Sequence, residues 1–336
     1  MTSINKEGVA WQEPLSADMR KIEDLLSDEN IDTSYEPFSR EPEYMDANRA
    51  FIKTLPMDKS TRVVDLACGT STMTGLVLEH IYGDGPYNPS SAGAEPTRFL
   101  GLDLSRESLL LGQQFLAGLG YLVTSNPNAK VATPAAHLVD LMEGSADRLP
   151  MVDNCADFVI MGNAIQLVLD QDALFAEISR ILRPGGRFAF NTSFYAGTYT
   201  PGTEHVYIRW MQEAIAYVNK RDAELRAMGH PGVKRKRGSG HRAFSRPWLS
   251  ADDYIKQAAK YGLELEVNNE RTVMLDQRCF ETIGAYAGLA KVLLSGYPVK
   301  LACEALEKAA GPTLESVNMK EVPRYWLEVV VRKTGG

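Results

Sequence analysis

Arg62-Val-Val-Asp-Leu-Ala-Cys-Gly-Thr-Ser71, followed from Thr72 by Met73, Leu76, Val77 and Ile81 at helical spacing, is the stretch that decides the fold. A short apolar run, a loop of small residues and an apolar-faced helix in direct succession read as strand, tight turn, helix. Small residues let the backbone come close to a ligand, and Gly69 can adopt a conformation closed to other residues. Asp65, at the end of the strand, discriminates between ligand classes. A dinucleotide would set a pyrophosphate at this turn, and a carboxylate would repel it, whereas an ammonium group would be attracted. Only Gly69 stands where a dinucleotide loop needs its Gly-x-Gly-x-x-Gly spacing.

Working outward, Arg98-Phe-Leu-Gly-Leu-Asp-Leu104 reads as a second buried strand, with Ser105 as the N-cap of a helix over 107–119. Residues 137–142 and 156–161 read as the third and fourth strands. A helix over 172–182 carries Leu174, Phe175, Ile178, Ile181 and Leu182 on one face and stops at Arg183-Pro-Gly-Gly186. Residues 187–193 form the fifth strand. Strands alternating with helices predict a parallel sheet covered on both faces. Residues 83–97, rich in Gly, Pro, Ser and Ala, read as an inserted surface loop, and 121–135 as an irregular connection. Beyond the fifth strand the pattern predicts a long helix over 206–228, a helix over 250–261, a strand over 263–267, a helical insert over 277–311 and a last strand over 325–331.

In an open parallel sheet, ligands sit beyond the carboxyl ends of the strands. Asp103, ending strand two, is placed to accept both hydroxyls of a ribose. It follows Asp65 by 38 residues, against about 20 in compact nucleoside-binding units, and the 83–97 loop accounts for the excess. Gly144-Ser-Ala-Asp-Arg-Leu-Pro150 follows strand three, and Gly162-Asn-Ala-Ile-Gln166 follows strand four.

Together with Leu182-Arg-Pro-Gly-Gly186, these motifs make residues 62–193 resemble the core of class I S-adenosylmethionine-dependent methyltransferases, and most of all their small-molecule subgroup. The resemblance implies an α/β, Rossmann-like methyltransferase fold with a mostly parallel seven-stranded sheet, helices on both faces, and helical cap and lid insertions. It divides the chain into an N-terminal cap (1–55), a cofactor-binding core (56–194), a substrate lid (195–247), and a C-terminal part of the core (248–336) carrying the 277–311 insert. It implies S-adenosyl-L-methionine as cofactor. Asp65, Ala67, Gly69 and Thr70 would line its methionine part, Asp103 would hold the ribose, and Leu104 would pack on the adenine. Ser145 and Ala146 would face the adenine edge, while Asn163, Ala164 and Ile165 would close the site near the sulfonium. Three positions depart from the family pattern. Ser71 replaces the last glycine of the first loop, Ala67 stands where glycine is common, and Ser145 replaces an aspartate, offering a weaker acceptor.

The methyl on a positively charged sulfur is already activated, so holding an acceptor in line supplies much of the acceleration. A general base is needed only if the acceptor must lose a proton. His205 is the candidate, with a surface histidine as the competing reading; Tyr195, Tyr199, Glu204 and His241 are further candidates. Gln166 can orient a substrate but cannot act as a base. Tyr195, Tyr199 and Trp210 point to a small apolar or aromatic acceptor, methylated on oxygen or carbon rather than nitrogen, although aromatics at helical spacing also serve as plain core. The insert with Tyr286, Leu289, Leu293 and Leu294 either completes that cavity or forms a homodimer face.

A net charge of −7 argues against a nucleic-acid partner. The basic run Lys234-Arg235-Lys236-Arg237, with His241, Arg242 and Arg246, reads either as a solvated loop or as an anchor for an anionic substrate. Cys68, Cys155, Cys279 and Cys303 are too far apart in sequence for a metal motif. No apolar run reaches the ~18 residues of a membrane span. The polar, acidic N-terminus lacks a secretory pattern, which predicts a cytoplasmic protein. Two other classes stay open: a non-catalytic protein that keeps the pocket as scaffold, and, against the loop chemistry, a nucleotide-cofactor oxidoreductase. A tRNA or protein methyltransferase fits the acidic charge poorly.

Overall fold

The computed structural model describes residues 17–27, 31, 36–57, 62–83, 97–124, 138–236 and 247–335. The expected loops at 83–97 and 121–135 lie largely outside these residues, as do Arg237, His241, Arg242 and Arg246. The strands are β1 (Arg62–Leu66), β2 (Arg98–Asp103), β3 (Leu122–Thr124), β4 (Leu138–Glu143), β5 (Ala156–Gly162), β6 (Leu182–Thr192), β7 (Leu263–Asp276) and β8 (Glu321–Lys333). They form one sheet in the order β3-β4-β2-β1-β5-β6-β8-β7. Neighbours from β3 to β6 pair in parallel, while β8 runs antiparallel to both β6 and β7.

The sheet therefore has eight strands where seven were expected. The addition is β3, three residues pairing with the edge of β4 inside the connection read as irregular. Three residues are too few for an alternation to register. β7 is also longer than the 263–267 expected from its sequence, because most of it is an exposed edge rich in Glu and Asn. Charge on an edge discourages pairing with other chains, and it hides the strand from a search for apolar alternation.

The central strands are buried on both faces, as parallel sheets require. On one face, α6 (Gln171–Ile181) and α8 (Ala251–Lys260) pack Leu174, Phe175, Ile178 and Tyr254 against Val159, Phe188, Phe190 and Val329. On the other, α3 (Pro42–Ile52), α4 (Thr72–Tyr82) and α5 (Arg106–Gly118) bring Phe51, Leu76, Val77 and Leu116 onto Val63, Phe99, Ile160 and Val330. Val329 and Val330, adjacent in sequence, thus serve opposite cores.

A third cluster lies beside the carboxyl ends of the strands. Here α7 (Glu204–Ala227), α9 (Gln277–Gly284), α10 (Ala287–Leu293) and α11 (Val299–Ser316) join Trp210, Val218, Phe280, Leu289, Leu301 and Leu306 to Trp326 of β8. Two short N-terminal helices, α1 (Ala17–Leu26) and α2 (Glu36–Ser39), lie against α11 and α9. No helix among the described residues is long and apolar enough to cross a membrane.

A buried amide chain ties α3 to the sheet. Asn191 Nδ2 donates to Asn48 Oδ1 at 2.7 Å, Asn48 Nδ2 donates to the Tyr44 carbonyl at 2.8 Å, and Asn191 Oδ1 accepts from the Asn163 N–H at 2.9 Å. Asn48 and Asn191 are both buried, so losing one partner leaves the other desolvated and unmatched. Asn191→Leu is expected to lower the unfolding free energy by about 1–3 kcal/mol in urea titration. The double variant Asn48→Leu/Asn191→Leu should recover part of that loss, because it leaves fewer stranded groups.

Candidate functional site

The switch in strand order lies at β1, flanked by β2 on one side and β5 on the other, and a cavity of ≈ 200 Å³ opens beyond their carboxyl ends. Asp65, Ala67, Gly69, Thr70, Asp103, Asn163, Ala164 and Gln166 line it. The backbone around it is unusual. Ala67, Gly69, Ser71 and Asn163 all have left-handed φ, at 53°, 52°, 64° and 49°. Glycine and asparagine tolerate this readily, whereas alanine and serine do so at a cost of about 1–2 kcal/mol each. The Ser71 side chain has room only because residue 112 is glycine: a Cβ there would lie 2.5 Å from Ser71 Oγ.

Asp65 is buried, at 1% exposure. Its Oδ2 accepts from Thr74 Oγ1 at 2.7 Å, while its buried Oδ1 has no hydrogen-bond partner. Burial, helped by the charge of Asp103 and opposed by the Thr74 bond, pushes its pKa up to about 7. A carboxylate held out of water with one oxygen unmatched is a seat for a cation. It does not suit a phosphate.

Asp103 plays a double part. Its Oδ2 accepts from the Gly69 N–H at 2.8 Å and its Oδ1 from the Ser105 N–H at 2.7 Å, so one carboxylate holds the loops after β1 and β2 in register. Carboxylate oxygens have further lone pairs, which leaves capacity for a pair of hydroxyls. Burial raises its pKa against those backbone bonds.

Other expected positions fall elsewhere. Leu104, beside Asp103, is 72% exposed. Ser145 donates to Asp147, Ala146 is buried, and neither lines the cavity; Ile165 packs into the core behind Ala164. Gln166 is held at both ends, donating to the Asn163 carbonyl at 2.8 Å and accepting from Thr192 Oγ1 at 2.8 Å.

A second cavity, of ≈ 320 Å³, adjoins the first across Phe194, which lines both. Tyr199, Trp210, Trp248, Phe280 and Trp326 dominate its wall. Tyr199 and Trp210 therefore line this cavity, but Tyr195 does not: its ring packs in the sheet core and its hydroxyl donates to Glu270 at 2.6 Å. His205 is exposed at the start of α7 and lines neither cavity. Lys234 and Lys236 border a separate depression with His230 and Lys291, away from both cavities. Glu43, Asp276 and Cys279 bring ligand-type atoms within 4.8 Å of one another, but also outside both cavities; Asp276 there caps α9.

Several lining residues were not singled out from sequence. Tyr44 of α3 lines the first cavity and Arg324 of β8 the second; Tyr286, expected with the insert at the acceptor side, lines the first cavity instead, while Leu289 and Leu293 of that insert line the second. Burial raises the phenol pKa of Tyr44 with help from Asp65, and that of Tyr286 with help from Asp103. These residues come from segments distant in sequence from the motif loops. Arg324 stands one residue before the strand expected over 325–331, so no local pattern marked it.

Residues 64–190 match the family model described as a methyltransferase domain. A demethylmenaquinone methyltransferase of Symbiobacterium thermophilum is 30% identical over 141 residues, covering 42% of this chain and 46% of the relative. One of Listeria welshimeri is 29% identical over 138 residues, covering 41% and 47%. The chain thus spans about half the length of the curated relatives it matches. Among solved structures, a phosphoethanolamine N-methyltransferase 2 of Haemonchus contortus bound to S-adenosylhomocysteine aligns with a TM-score of 0.44 and 16% identity, over 86% of this chain and 53% of that one.

The raised pKa of Asp65 has a stability consequence of definite sign. The folded protein holds this proton up to about pH 7, whereas an unfolded aspartate releases it near 3.9. The contribution of Asp65 to stability is therefore full below pH 4 and is lost as pH rises through 7. Asp65→Asn should raise the melting temperature of the ligand-free protein at pH 8 and leave it nearly unchanged at pH 4, by differential scanning fluorimetry.

Proposed function

We propose that this chain, which carries a class I methyltransferase domain over residues 64–190, transfers the methyl group of S-adenosylmethionine to a small apolar or aromatic metabolite. The observation that carries this reading is the unmatched buried oxygen of Asp65, in a cavity that meets an aromatic-walled one at Phe194. Asp65 would receive the ammonium of the cofactor's amino-acid part and Asp103 its ribose hydroxyls. Ala67, Gly69 and Thr70 would line the methionine chain, while Asn163 and Ala164 would close the sulfonium side. When bound, the cofactor supplies an electrophilic methyl on a positively charged sulfur.

The chain's own contribution is then positioning and exclusion of water. Phe194 stands at the junction of the two cavities, and Tyr199, Trp210, Trp248 and Phe280 hold the acceptor. Oriented pairs of this kind recover roughly 7–11 kcal/mol of a bimolecular barrier. Methylation on oxygen or carbon is favoured over nitrogen because Arg324 lines the acceptor cavity, and a guanidinium disfavours a protonated amine. The acceptor of the demethylmenaquinone relatives does not transfer directly, since every residue lining this cavity lies outside 64–190.

Calorimetry with S-adenosylmethionine and S-adenosylhomocysteine tests the premise: no heat with either, and heat with a dinucleotide, would falsify it. Affinity should rise between pH 6 and 8, since at lower pH the ammonium must displace the proton on Asp65 at up to about tenfold per unit. Transfer of labelled methyl across a panel of phenols, quinols and enols tests the acceptor. Ile283→Trp, which fills the aromatic cavity, should abolish that transfer while leaving S-adenosylhomocysteine affinity within about twofold.

A further inference from the structure

We infer that the aromatic cavity is built for an amphipathic monoanion, an apolar body carrying one carboxylate, with Arg324 as its counter-charge. This rests on the methyl-transfer reading only for the purpose of the cavity, because the observations themselves concern binding. Arg324 is buried, at 8% exposure. Its Nε and Nη2 donate to the Ser193 carbonyl at 3.1 and 2.6 Å, and its remaining side-chain hydrogen-bond interaction is with the neutral Tyr207 hydroxyl. No carboxylate among the described residues forms an ion pair with it.

The guanidinium instead sits among aromatic rings, 5.4 Å from the centroid of Phe194, 5.2 Å from Tyr199 and 5.2 Å from Tyr207. These faces offset part of the desolvation. They supply no counter-charge. Buried charges are ordinarily paired, as the same strand demonstrates: Glu328, four residues on, is matched by Arg271 and by Asn269 Nδ2.

The surplus of donors extends beyond Arg324. Neither the Tyr207 hydroxyl nor the Trp326 indole N–H, both buried and both from residues lining the cavity, has an acceptor among the described residues. Burial raises the Tyr207 phenol pKa, opposed by the charge of Arg324 and by its hydrogen bond to the phenol oxygen; that hydroxyl keeps its proton, which it can donate. The one carboxylate of the lining, Glu204, is exposed and accepts from the Gly202 N–H at 3.0 Å. A wall with unmatched donors and one cation calls for an acceptor-bearing guest. A single guanidinium balances a single charge; a diphosphate would need more. At ≈ 320 Å³ the space lies at the small end of ligand cavities, which span roughly 300–1,000 Å³.

The molecule carries its own reporter. Of its four tryptophans, Trp210, Trp248 and Trp326 line this cavity, so intrinsic fluorescence reads its occupancy. The test titrates the full chain with 4-phenylbutanoate, 4-phenylbutanamide and 4-phenylbutylammonium, with 2-naphthoate and decanoate as carboxylates of other shape. The carboxylates should bind about 10- to 100-fold more tightly than the amide, with the ammonium weakest.

Arg324→Gln should erase that preference, and Tyr207→Phe should reduce it without altering the amide's affinity. Should Arg324→Gln fail to fold, the wild-type comparison and Tyr207→Phe still decide. Equal binding of carboxylate and amide, tighter binding of the ammonium, or no fluorescence change with any carboxylate at millimolar concentration would overturn the inference. Calorimetry with S-adenosylhomocysteine on the same preparation separates the two ideas. Heat without carboxylate preference removes only the anion site, whereas carboxylate preference without heat removes only the methyl-transfer reading.

Discussion

An aspartate taken wholly out of water is an expensive thing to place at the end of a central strand. Asp65 is held there by Thr74 on one oxygen and by nothing on the other, and burial leaves it only partly ionised near neutrality. Much of the surrounding architecture accommodates this one group. β1 must lie mid-sheet to bury it, the left-handed turns at Ala67, Gly69 and Ser71 must carry the chain past it, and Gly112 must be small to admit Ser71. Tyr44 and Asp103 stand close enough to feel or add to its charge. Stability is surrendered locally, and a ligand cation can return it.

The ends of β5 and β6 carry the second organising feature, a run of buried polar contacts between the two cavities. It starts at Tyr44, whose carbonyl accepts from Asn48, and passes through Asn191 to Asn163. Asn163 Oδ1 then accepts from both the N–H and the hydroxyl of Ser193, at 2.8 and 3.1 Å. The Ser193 carbonyl receives the Arg324 guanidinium. Each link is buried, so each is stronger than in water and costly to break. The result is a rigid frame behind Phe194: the wall near Asp65 and the wall near Arg324 are set by the same residues. Gln166, pinned between the Asn163 carbonyl and Thr192, belongs to this frame and has little freedom to do other chemistry.

The parallel core was readable because it obeys local rules. β1, β2 and β5 are buried apolar runs, Ser105 caps α5 by accepting from the Ser108 N–H, and Asp65 and Asp103 end their strands at the spacing the inserted loop explains. What escaped notice had weak local signals. β3 is three residues long, and the outer part of β7 is an exposed, charged edge. Tyr195 and Tyr199 looked equivalent in sequence, four residues apart after one strand. One turns into the sheet core with its hydroxyl on Glu270, and the other faces the aromatic cavity. That difference arises from the turn between them, where Thr198 Oγ1 donates to the Ser193 and Tyr325 carbonyls.

The order of residues along the chain alone determined the class of the core and the character of its first pocket, since both depend on contacts between near neighbours: a strand, its turn and the helix that follows. The second, aromatic-walled cavity was decided only by the tertiary structure. Its wall gathers Phe38, Phe194, Trp210, Phe280 and Arg324 from segments that no local periodicity connects. Whether a tyrosine lines a cavity or fills a core, and whether an arginine finds a carboxylate or is left among rings, depends on what distant segments bring to its face.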